Sequence, residues 1–176
     1  MKATIYNTML TQAHMFAFSA HAAVGQLRKH TLMPYIVHPE EVVQILILHN
    51  ITDPYILSAA YMHDVIEDTK VTEADLRRFF PTKVVDLVLE VTDVSKPEDG
   101  NREKRKAIDR AHIAEISDNG KLIKCADLIS NTRDIIAHDQ NFAKIYLKEK
   151  KLVLDVMKDA IGNTSIFAEA SIYVER

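Results

Sequence analysis

Four polar side chains lie close together at the end of a mostly apolar segment: His63, Asp64, Glu67 and Asp68. If the segment is helical, His63 shares a face with Glu67, and Asp64 shares the neighbouring face with Asp68. One imidazole and three carboxylates on one turn can hold a metal ion or move a proton. The alternative is a solvated acidic helix end, although carboxylates at a helix C-terminus are unfavourable with the helix dipole. Such local violations are typical of functional sites.

Two further segments offer ligands of the same kind. His38 stands at a predicted helix start, and Asp127 lies on a helix whose inner face is otherwise apolar. Alone, each would be a helix cap or a hydrogen-bonded core residue. Together with His63 and Asp64 they supply two imidazoles and two carboxylates, a ligand set that suits manganese, iron or zinc and leaves positions for water and substrate. Without a cysteine pair, a closed structural zinc site is disfavoured.

Helical periodicity dominates the rest of the chain, and no pair of alternating strands stands out. In the first helix, the apolar side chains expected inside are Met15, Phe16, Phe18, Ala22 and Ala23. The sequence therefore predicts an all-α, compact bundle of about eight to ten helices. The predicted helices cover roughly residues 8–29, 39–47, 53–68, 72–80, 84–91, 102–116, 122–135, 142–162 and 163–173.

Local signals mark several helix boundaries. Asp53 can cap a helix that has proline in its first position, and Thr72 with Asp75 resembles a capping box. Residues 99–101 and 118–120 combine aspartate, asparagine and glycine, and we predict a turn at each.

Length and charge limit the classes of function. The 176 residues predict one domain spanning 1–176, and the net charge of −3 gives no basic field for nucleic acid. No apolar run reaches the roughly 18 residues of a membrane span, and residues 1–10 lack the layout of a signal peptide. The single cysteine indicates a reducing compartment. We expect a cytoplasmic protein that binds neither nucleic acid nor membrane, and an oligomer is compatible with the sequence.

Longer stretches around the polar residues resemble a known family. The spacing of His38, His63-Asp64 and Asp127 resembles the HD superfamily of phosphohydrolases. The surrounding sequence motifs resemble those of the hydrolase domain of RelA/SpoT proteins. Among these proteins, they are most similar to the small alarmone hydrolases related to the metazoan SpoT homologue. These motifs are Arg28-Lys29, Pro34-Tyr35-Ile36-Val37-His38-Pro39, His63-Asp64-Val65-Ile66-Glu67-Asp68-Thr69, Val91-Thr92-Asp93-Val94-Ser95, Asp99-Gly100-Asn101-Arg102 and residues 123–133.

The resemblance implies a function and assigns roles. The chain would remove the 3′-pyrophosphate of (p)ppGpp, a guanosine alarmone, to give GDP or GTP and pyrophosphate. Glu67 and Asp68 would orient and deprotonate the attacking water or assist the leaving group. Arg28, Lys29 and Asn131 would contact the nucleotide. One Mn²⁺ would be held by His38, His63, Asp64 and Asp127.

A nucleotide with several phosphates needs local cations in a weakly acidic protein. Arg102 and Lys106 lie four residues apart on a predicted basic helix and can face one phosphate together. The alternative is a solvated helix face paired with Glu103 and Asp109.

Two rival functions remain open. Related sequences often have glycine and an acidic residue where this chain has Leu32-Met33, so another nucleotide, such as ppApp or NADPH, is a rival substrate. The other rival is a binding module without turnover, such as a nucleotide sensor or an antitoxin partner. The presence of both Glu67 and Asp68 speaks against that module, because binding alone would not need the pair.

Overall fold

The protein is helical, as the sequence predicts. The structure, a computed structural model, describes the backbone of residues 2–175 and the side chains of residues 7–175. Within them it has no strand and one isolated β-bridge, between Leu27 and Pro34. The helices are α1 (Lys2–Ala23), α2 (Val37–Leu48), α3 (Pro54–Tyr61), α4 (Val65–Asp68), α5 (Glu73–Phe79), α6 (Thr82–Val91), α7 (Arg102–Glu115), α8 (Asp118–His138), α9 (Gln140–Ile161) and α10 (Ser165–Val174), with a 3-10 turn at Pro97–Asp99.

The chain divides into two compact units, Met1–Thr92 and Asp93–Arg176. The assignment of residues 1–176 to one domain stays a prediction. In the part of the chain that the structure describes, no helix combines the length and the apolar character needed to cross a bilayer.

In the first unit, α3 packs against α1, α2 and α6. Its start confirms the predicted cap: the Asp53 carboxylate accepts the N–H of Tyr55 at 2.7 Å, and Pro54 takes the first position. The α3 side chains from Ile56 to Ala60 are buried. The predicted capping box at the start of α5, between Thr72 and Asp75, is also present. Helix α3 thus forms the apolar base on which the polar residues that follow it are placed.

The buried face of α1 differs from the predicted one. Met15 and Phe18 are 62% and 47% exposed, and Ala22 and Ala23 are exposed too. The buried positions instead include Ala13 and Ala17, followed one turn later by His21. Ala13 and Ala17, which are small, lie on the buried face of α1, and α1 packs against α3. The helix also ends at Ala23, earlier than predicted.

The predicted helix over residues 53–68 is broken. Helix α3 ends at Tyr61, a turn covers residues 62–64, and α4 is a separate short helix. In a continuous helix the carbonyl of Ala60 would receive the N–H of Asp64, but here it accepts the His63 Nδ1–H at 2.8 Å. A side chain therefore competes for a backbone acceptor at the point where the helix breaks.

In the second unit, α8 packs against α9 and α10, and α9 also packs against α7. Asn101 caps α7 through the N–H of Lys104, at 3.0 Å, after the predicted turn at residues 99–101. The turn predicted at residues 118–120 is wrong. These residues form the first turn of α8, because Ser117 acts as the N-cap and accepts the N–H of Gly120 at 3.2 Å.

Candidate functional site

Three of the predicted metal ligands converge in the first unit. His38 lies in the first turn of α2, and His63 and Asp64 lie in the turn between α3 and α4. One ligand atom from each lies within 4.8 Å of those of the other two. Both histidines are buried, and Asp64 is partly buried. Two imidazoles and a carboxylate in this arrangement form a donor set for a divalent transition metal.

The tautomer of His63 is fixed by the backbone. A carbonyl only accepts, so the 2.8 Å contact with Ala60 places the hydrogen on Nδ1 and leaves a lone pair on Nε2 of the neutral ring. That Nε2 lies 3.0 Å from Asp64 Oδ2. Two lone-pair atoms at this distance repel each other unless a proton or a cation lies between them. The residues present therefore fit a metal ion that accepts from both atoms.

Asp64 is oriented by a tyrosine. The hydroxyl of Tyr35 donates to Asp64 Oδ2 at 2.6 Å, and His38 Nε2 lies 3.6 Å from the same oxygen. The Tyr35 ring meets His38 edge to face, with ring centroids 5.7 Å apart. Groups that hold a metal ligand in place in this way strengthen metal binding.

Asp68 and Glu67 follow on α4, and both are exposed. The amide of Gln26 donates from Nε2 to Asp68 Oδ2 at 2.7 Å. Because α4 starts directly after Asp64, its two carboxylates lie within one turn of the three-residue cluster. Exposed carboxylates at this place can reach a water molecule or a substrate.

Asp127, the fourth predicted ligand, lies on α8 in the second unit. Its Oδ1 accepts a hydrogen bond from Asn131 Nδ2 at 2.6 Å, so two predicted functional residues contact each other directly. The carboxylate of Asp127 also acts on Lys150, where it opposes the lowering of the lysine pKa by burial. The role of Asp127 as a ligand and that of Asn131 as a substrate contact stay predictions.

The sequence profile of the HD domain matches residues 13–152. The chain belongs to the HD domain family. This confirms the resemblance to the HD superfamily.

Curated relatives of this HD domain chain carry a specific name. The chain is 40% identical over 103 residues to the guanosine-3′,5′-bis(diphosphate) 3′-pyrophosphohydrolase MESH1 of Drosophila melanogaster. The match covers 58% of this chain and 56% of that protein. The protein of the same name from Mus musculus is 39% identical over 120 residues, covering 67% of this chain and 65% of that protein. The matched segments thus span only a little over half to about two thirds of these relatives.

A solved structure supports the fold over a longer span. The structure described as a metazoan ortholog of SpoT that hydrolyzes ppGpp superimposes with a TM-score of 0.83 and is 29% identical in sequence. The match covers 95% of this chain and 94% of that one. The helical HD architecture therefore extends through nearly the whole chain.

Arg28 and Lys29 lie on a loop that leads from α1 to α2 of the HD domain. The N–H of Arg28 donates to the carbonyl of Met33 at 2.9 Å, and the N–H of Leu32 donates to the carbonyl of Arg28 at 3.0 Å. Leu32 has a φ of 57°, in the left-handed region that favours glycine. The loop keeps a glycine-like turn without glycine, at a cost of about 1–2 kcal/mol.

Arg102 and Lys106, the predicted phosphate contacts, each bind carboxylates. Arg102 donates from Nε and Nη2 to both oxygens of Glu149, each at 2.8 Å. Lys106 Nζ donates to Asp93 at 2.8 Å and to Asp109 at 3.1 Å. The pairing of Lys106 with Asp109 that the alternative named is present, but Asp109 is buried, so this part of the helix face is not solvated. Whether either cation also binds phosphate stays a prediction.

Two residues of the site were not singled out from the sequence: Tyr35, which orients Asp64, and Gln26, which binds Asp68. The N–H of Tyr35 donates to the carbonyl of Gln26 at 3.3 Å, so the two residues face each other where the loop closes. The available signal was their position, since each flanks a predicted site residue, Arg28 or His38, by two or three positions.

Proposed function

We propose that this HD domain chain is a Mn²⁺-dependent hydrolase that removes the 3′-pyrophosphate of (p)ppGpp. The products are GDP or GTP and pyrophosphate. The observation that carries the proposal is the convergence of His38, His63 and Asp64 directly before the carboxylates of α4. The similarity to proteins named 3′-pyrophosphohydrolases supports the choice of substrate.

His38, His63 and Asp64 would hold the Mn²⁺, and Asp127 is proposed as the fourth ligand. Mn²⁺ suits a mixed set of imidazole and carboxylate ligands. When bound, it would supply the Lewis acidity that makes a water molecule nucleophilic near neutral pH.

The exposed carboxylates of α4 would do the proton chemistry. Asp68 accepts a proton from the attacking water, and its carboxylate is held in one orientation by the amide of Gln26. Glu67, its neighbour, orients the same water or assists the leaving group. General base catalysis of this kind contributes about 10²- to 10⁴-fold in rate.

Cations of the first unit would select the nucleotide. Arg28, fixed by two backbone hydrogen bonds of its loop, and the exposed Lys29 would contact the base and the phosphates. Asn131 is proposed as a further contact. Arg102 and Lys106 would bind phosphate only by exchanging or sharing their carboxylate partners.

The loop after Arg28 gives a reason to test a second class of substrate. Its tip exposes Leu32 and Met33, which are 70% and 51% exposed. An apolar tip offers no hydrogen-bond acceptor side chain for the amino group of guanine. The adenine nucleotides ppApp and NADPH are therefore the alternative substrates, and binding without turnover is the other alternative.

The test measures hydrolysis of ppGpp, ppApp, NADPH and simple mononucleotides by the purified chain with Mn²⁺. We expect pyrophosphate release from ppGpp that stops on chelation and falls about 10²- to 10⁴-fold in Asp68→Asn. The matched control is Asp86→Asn, an exposed carboxylate paired with Arg77, which should keep full activity. Turnover of ppApp or NADPH alone would transfer the proposal to that substrate, and turnover of none would refute an enzymatic function.

A further inference from the structure

His21 is a buried polar residue for which the proposed function has no use. It lies in the last turn of α1 and is 1% exposed. It continues the buried face formed by Ala13 and Ala17, at the spacing of one helical turn where another apolar residue would fit. A polar ring in such a position costs free energy unless its hydrogen bonds are made. Its contacts therefore indicate why it is there.

One of those contacts leads to Asp68. His21 Nδ1 lies 2.6 Å from Oε1 of Gln26, and Nε2 of the same amide donates to Asp68 Oδ2 at 2.7 Å. Because a carboxylate only accepts, the amide of Gln26 must turn its nitrogen toward Asp68 and its oxygen toward His21. His21 must then donate from Nδ1. The three side chains form a directed chain of hydrogen bonds from the core to an exposed carboxylate.

The other ring nitrogen of His21 favours one protonation state. Its Nε2 is buried and makes no hydrogen bond to any of the described side chains or backbone groups. A hydrogen on Nε2 would be a buried donor without an acceptor, so the neutral ring with its hydrogen on Nδ1 is favoured. Burial is the main cause of the lowered pKa of His21, and the nearby His63 lowers this pKa further. The hydrogen bond with Gln26 and the charges of Asp64 and Asp68 act in the opposite direction, but burial outweighs them.

The surroundings of His21 hold the ring in place. The Tyr35 ring packs against it with centroids 4.7 Å apart, and the Tyr35 hydroxyl is bound to Asp64. The packing of Tyr35 against His21 therefore opposes rotation of the imidazole ring. A ring fixed in one orientation and one tautomer can in turn fix the amide of Gln26.

We propose that His21 and Gln26 are positioning residues that hold the exposed carboxylate of Asp68 in its reactive orientation. This rests on the proposed function, in which Asp68 is the base. Without the two residues, the exposed side chain of Asp68 populates several rotamers, and only a fraction of the molecules has the base aligned with the water. Loss of alignment lowers kcat by roughly 10- to 100-fold. KM changes little, because neither residue is a substrate contact.

Matched variants separate positioning from packing. Gln26→Met keeps the length of the side chain and removes both hydrogen bonds. His21→Asn keeps a donor close to the place of Nδ1, whereas His21→Leu keeps the volume and has none. We expect Gln26→Met and His21→Leu to lower kcat of ppGpp hydrolysis by roughly 10- to 100-fold with KM within about 2-fold. His21→Asn should recover most of the activity, and His21→Leu should add little in the Gln26→Met background.

Two kinetic results would overturn the proposal. One is a kcat of Gln26→Met equal to that of the wild type, since this partly buried residue can be changed without opening the core. The other is equal kcat for His21→Asn and His21→Leu when both variants show the far-ultraviolet circular dichroism of the folded protein. In that case His21 serves packing alone.

A spectroscopic measurement tests the hydrogen-bond chain without turnover. In the full chain loaded with diamagnetic Zn²⁺, ¹⁵N–¹H spectra should show neutral His21 with hydrogen on Nδ1 at pH 7. The Nδ1–H resonance should shift or exchange faster in Gln26→Met. If the wild type hydrolyses no substrate but its spectrum shows the Nδ1–H resonance of neutral His21, the proposed function is refuted. The series of hydrogen bonds from His21 through Gln26 to Asp68 is then still supported. A neutral ring with its hydrogen on Nε2 would refute the series of hydrogen bonds, because Nδ1 could then not donate to Gln26.

Discussion

At the scale of the residue, one carboxylate oxygen of Asp64 lies close to three other side chains of the candidate site. Its Oδ2 lies 2.6 Å from the Tyr35 hydroxyl, 3.0 Å from His63 Nε2 and 3.6 Å from His38 Nε2. Of these atoms, only the hydroxyl donates when both rings are neutral with hydrogen on Nδ1. Tyr35 thus fixes the carboxylate, and the two ring nitrogens are placed where they could share a cation with it.

Tyr35→Phe should therefore weaken metal binding without removing a ligand. We expect the Kd for Mn²⁺ to rise about 10-fold or more, as for other groups that orient metal ligands. Isothermal titration calorimetry with Mn²⁺ measures the change. Tyr173→Phe, which loses a hydroxyl bound to Arg133 in the second unit, is the control and should keep the wild-type Kd. Equal affinities of wild type and Tyr35→Phe would contradict the role of the hydroxyl.

The sequence predicted the residues that cluster in the first unit but not the residues that orient them. His38, His63 and Asp64 were predicted because rare side-chain types recur at spacings that a metal site needs. The contacts of Gln26 and Tyr35 depend on how the loop closes, with backbone hydrogen bonds that have no pattern of their own in the sequence. The sequence assigned no role to His21, because nothing in the sequence relates a residue of α1 to Asp68.

At the scale of the element, helix starts were predictable and breaks were not. The caps at Asp53 and Thr72 were predicted because a cap is a local hydrogen bond between neighbours in sequence. The break at residues 62–64 carries neither glycine nor proline, and it depends on the bond from His63 to a carbonyl. The start of α8 was missed because aspartate, asparagine and glycine suit both a turn and a capped first turn.

Ser117→Ala tests the cap of α8, the helix that carries Asp127 and Asn131. The variant leaves the N–H of Gly120 without its side-chain acceptor, and we expect a loss of about 1 kcal/mol in the free energy of unfolding. Urea unfolding measures it. Ser117→Asp keeps an acceptor at the cap and should stay close to the wild type. If the two variants lose equal stability, hydrogen bonding at the cap is not the cause.

Asp93 links two helices of the second unit. Its carboxylate lies 2.8 Å from Lys106 of α7 and 3.6 Å from Lys124 of α8. Burial by itself would raise the pKa of Asp93, but the two lysines outweigh burial and the net pKa is lowered. Burial by itself would lower the pKa of Lys106, but the charge of Asp93 and its hydrogen bond raise this pKa above its ordinary value.

The sign of these shifts predicts how stability depends on pH. A lowered carboxyl pKa contributes stability above its unfolded value, about 3.9, and the contribution disappears as the pH falls through the folded pKa. The raised Lys106 pKa contributes below about 10.4 and is lost as the pH rises through its folded value. The stability difference between wild type and Asp93→Asn should therefore be constant near neutral pH and shrink below about pH 4. Urea unfolding from pH 3 to 8 measures it, and a difference that grows toward low pH would contradict the assignment.

At the scale of the whole molecule, the HD family match covers residues 13–152 and so includes parts of both compact units. Three proposed ligands belong to the first unit and Asp127 belongs to the second. A metal ion that binds only the folded chain stabilises it by about 2.7 kcal/mol when its concentration is 100 times Kd. Stability can thus report which carboxylates are ligands, independently of any substrate.

Thermal unfolding with and without Mn²⁺ should show this linkage. For a chain of this size, the stabilisation corresponds to a rise in Tm of roughly 5–10 °C. Asp64→Asn should lose most of the rise, because the ligand oxygen next to both histidines is replaced by a neutral amide. Asp127→Asn should lose it too if Asp127 is the fourth ligand, whereas Asp134→Asn, a control on the same helix, should keep it. A rise retained in Asp127→Asn and lost in Asp64→Asn would limit the site to the three residues of the first unit, and a rise retained in both would place the Mn²⁺ elsewhere.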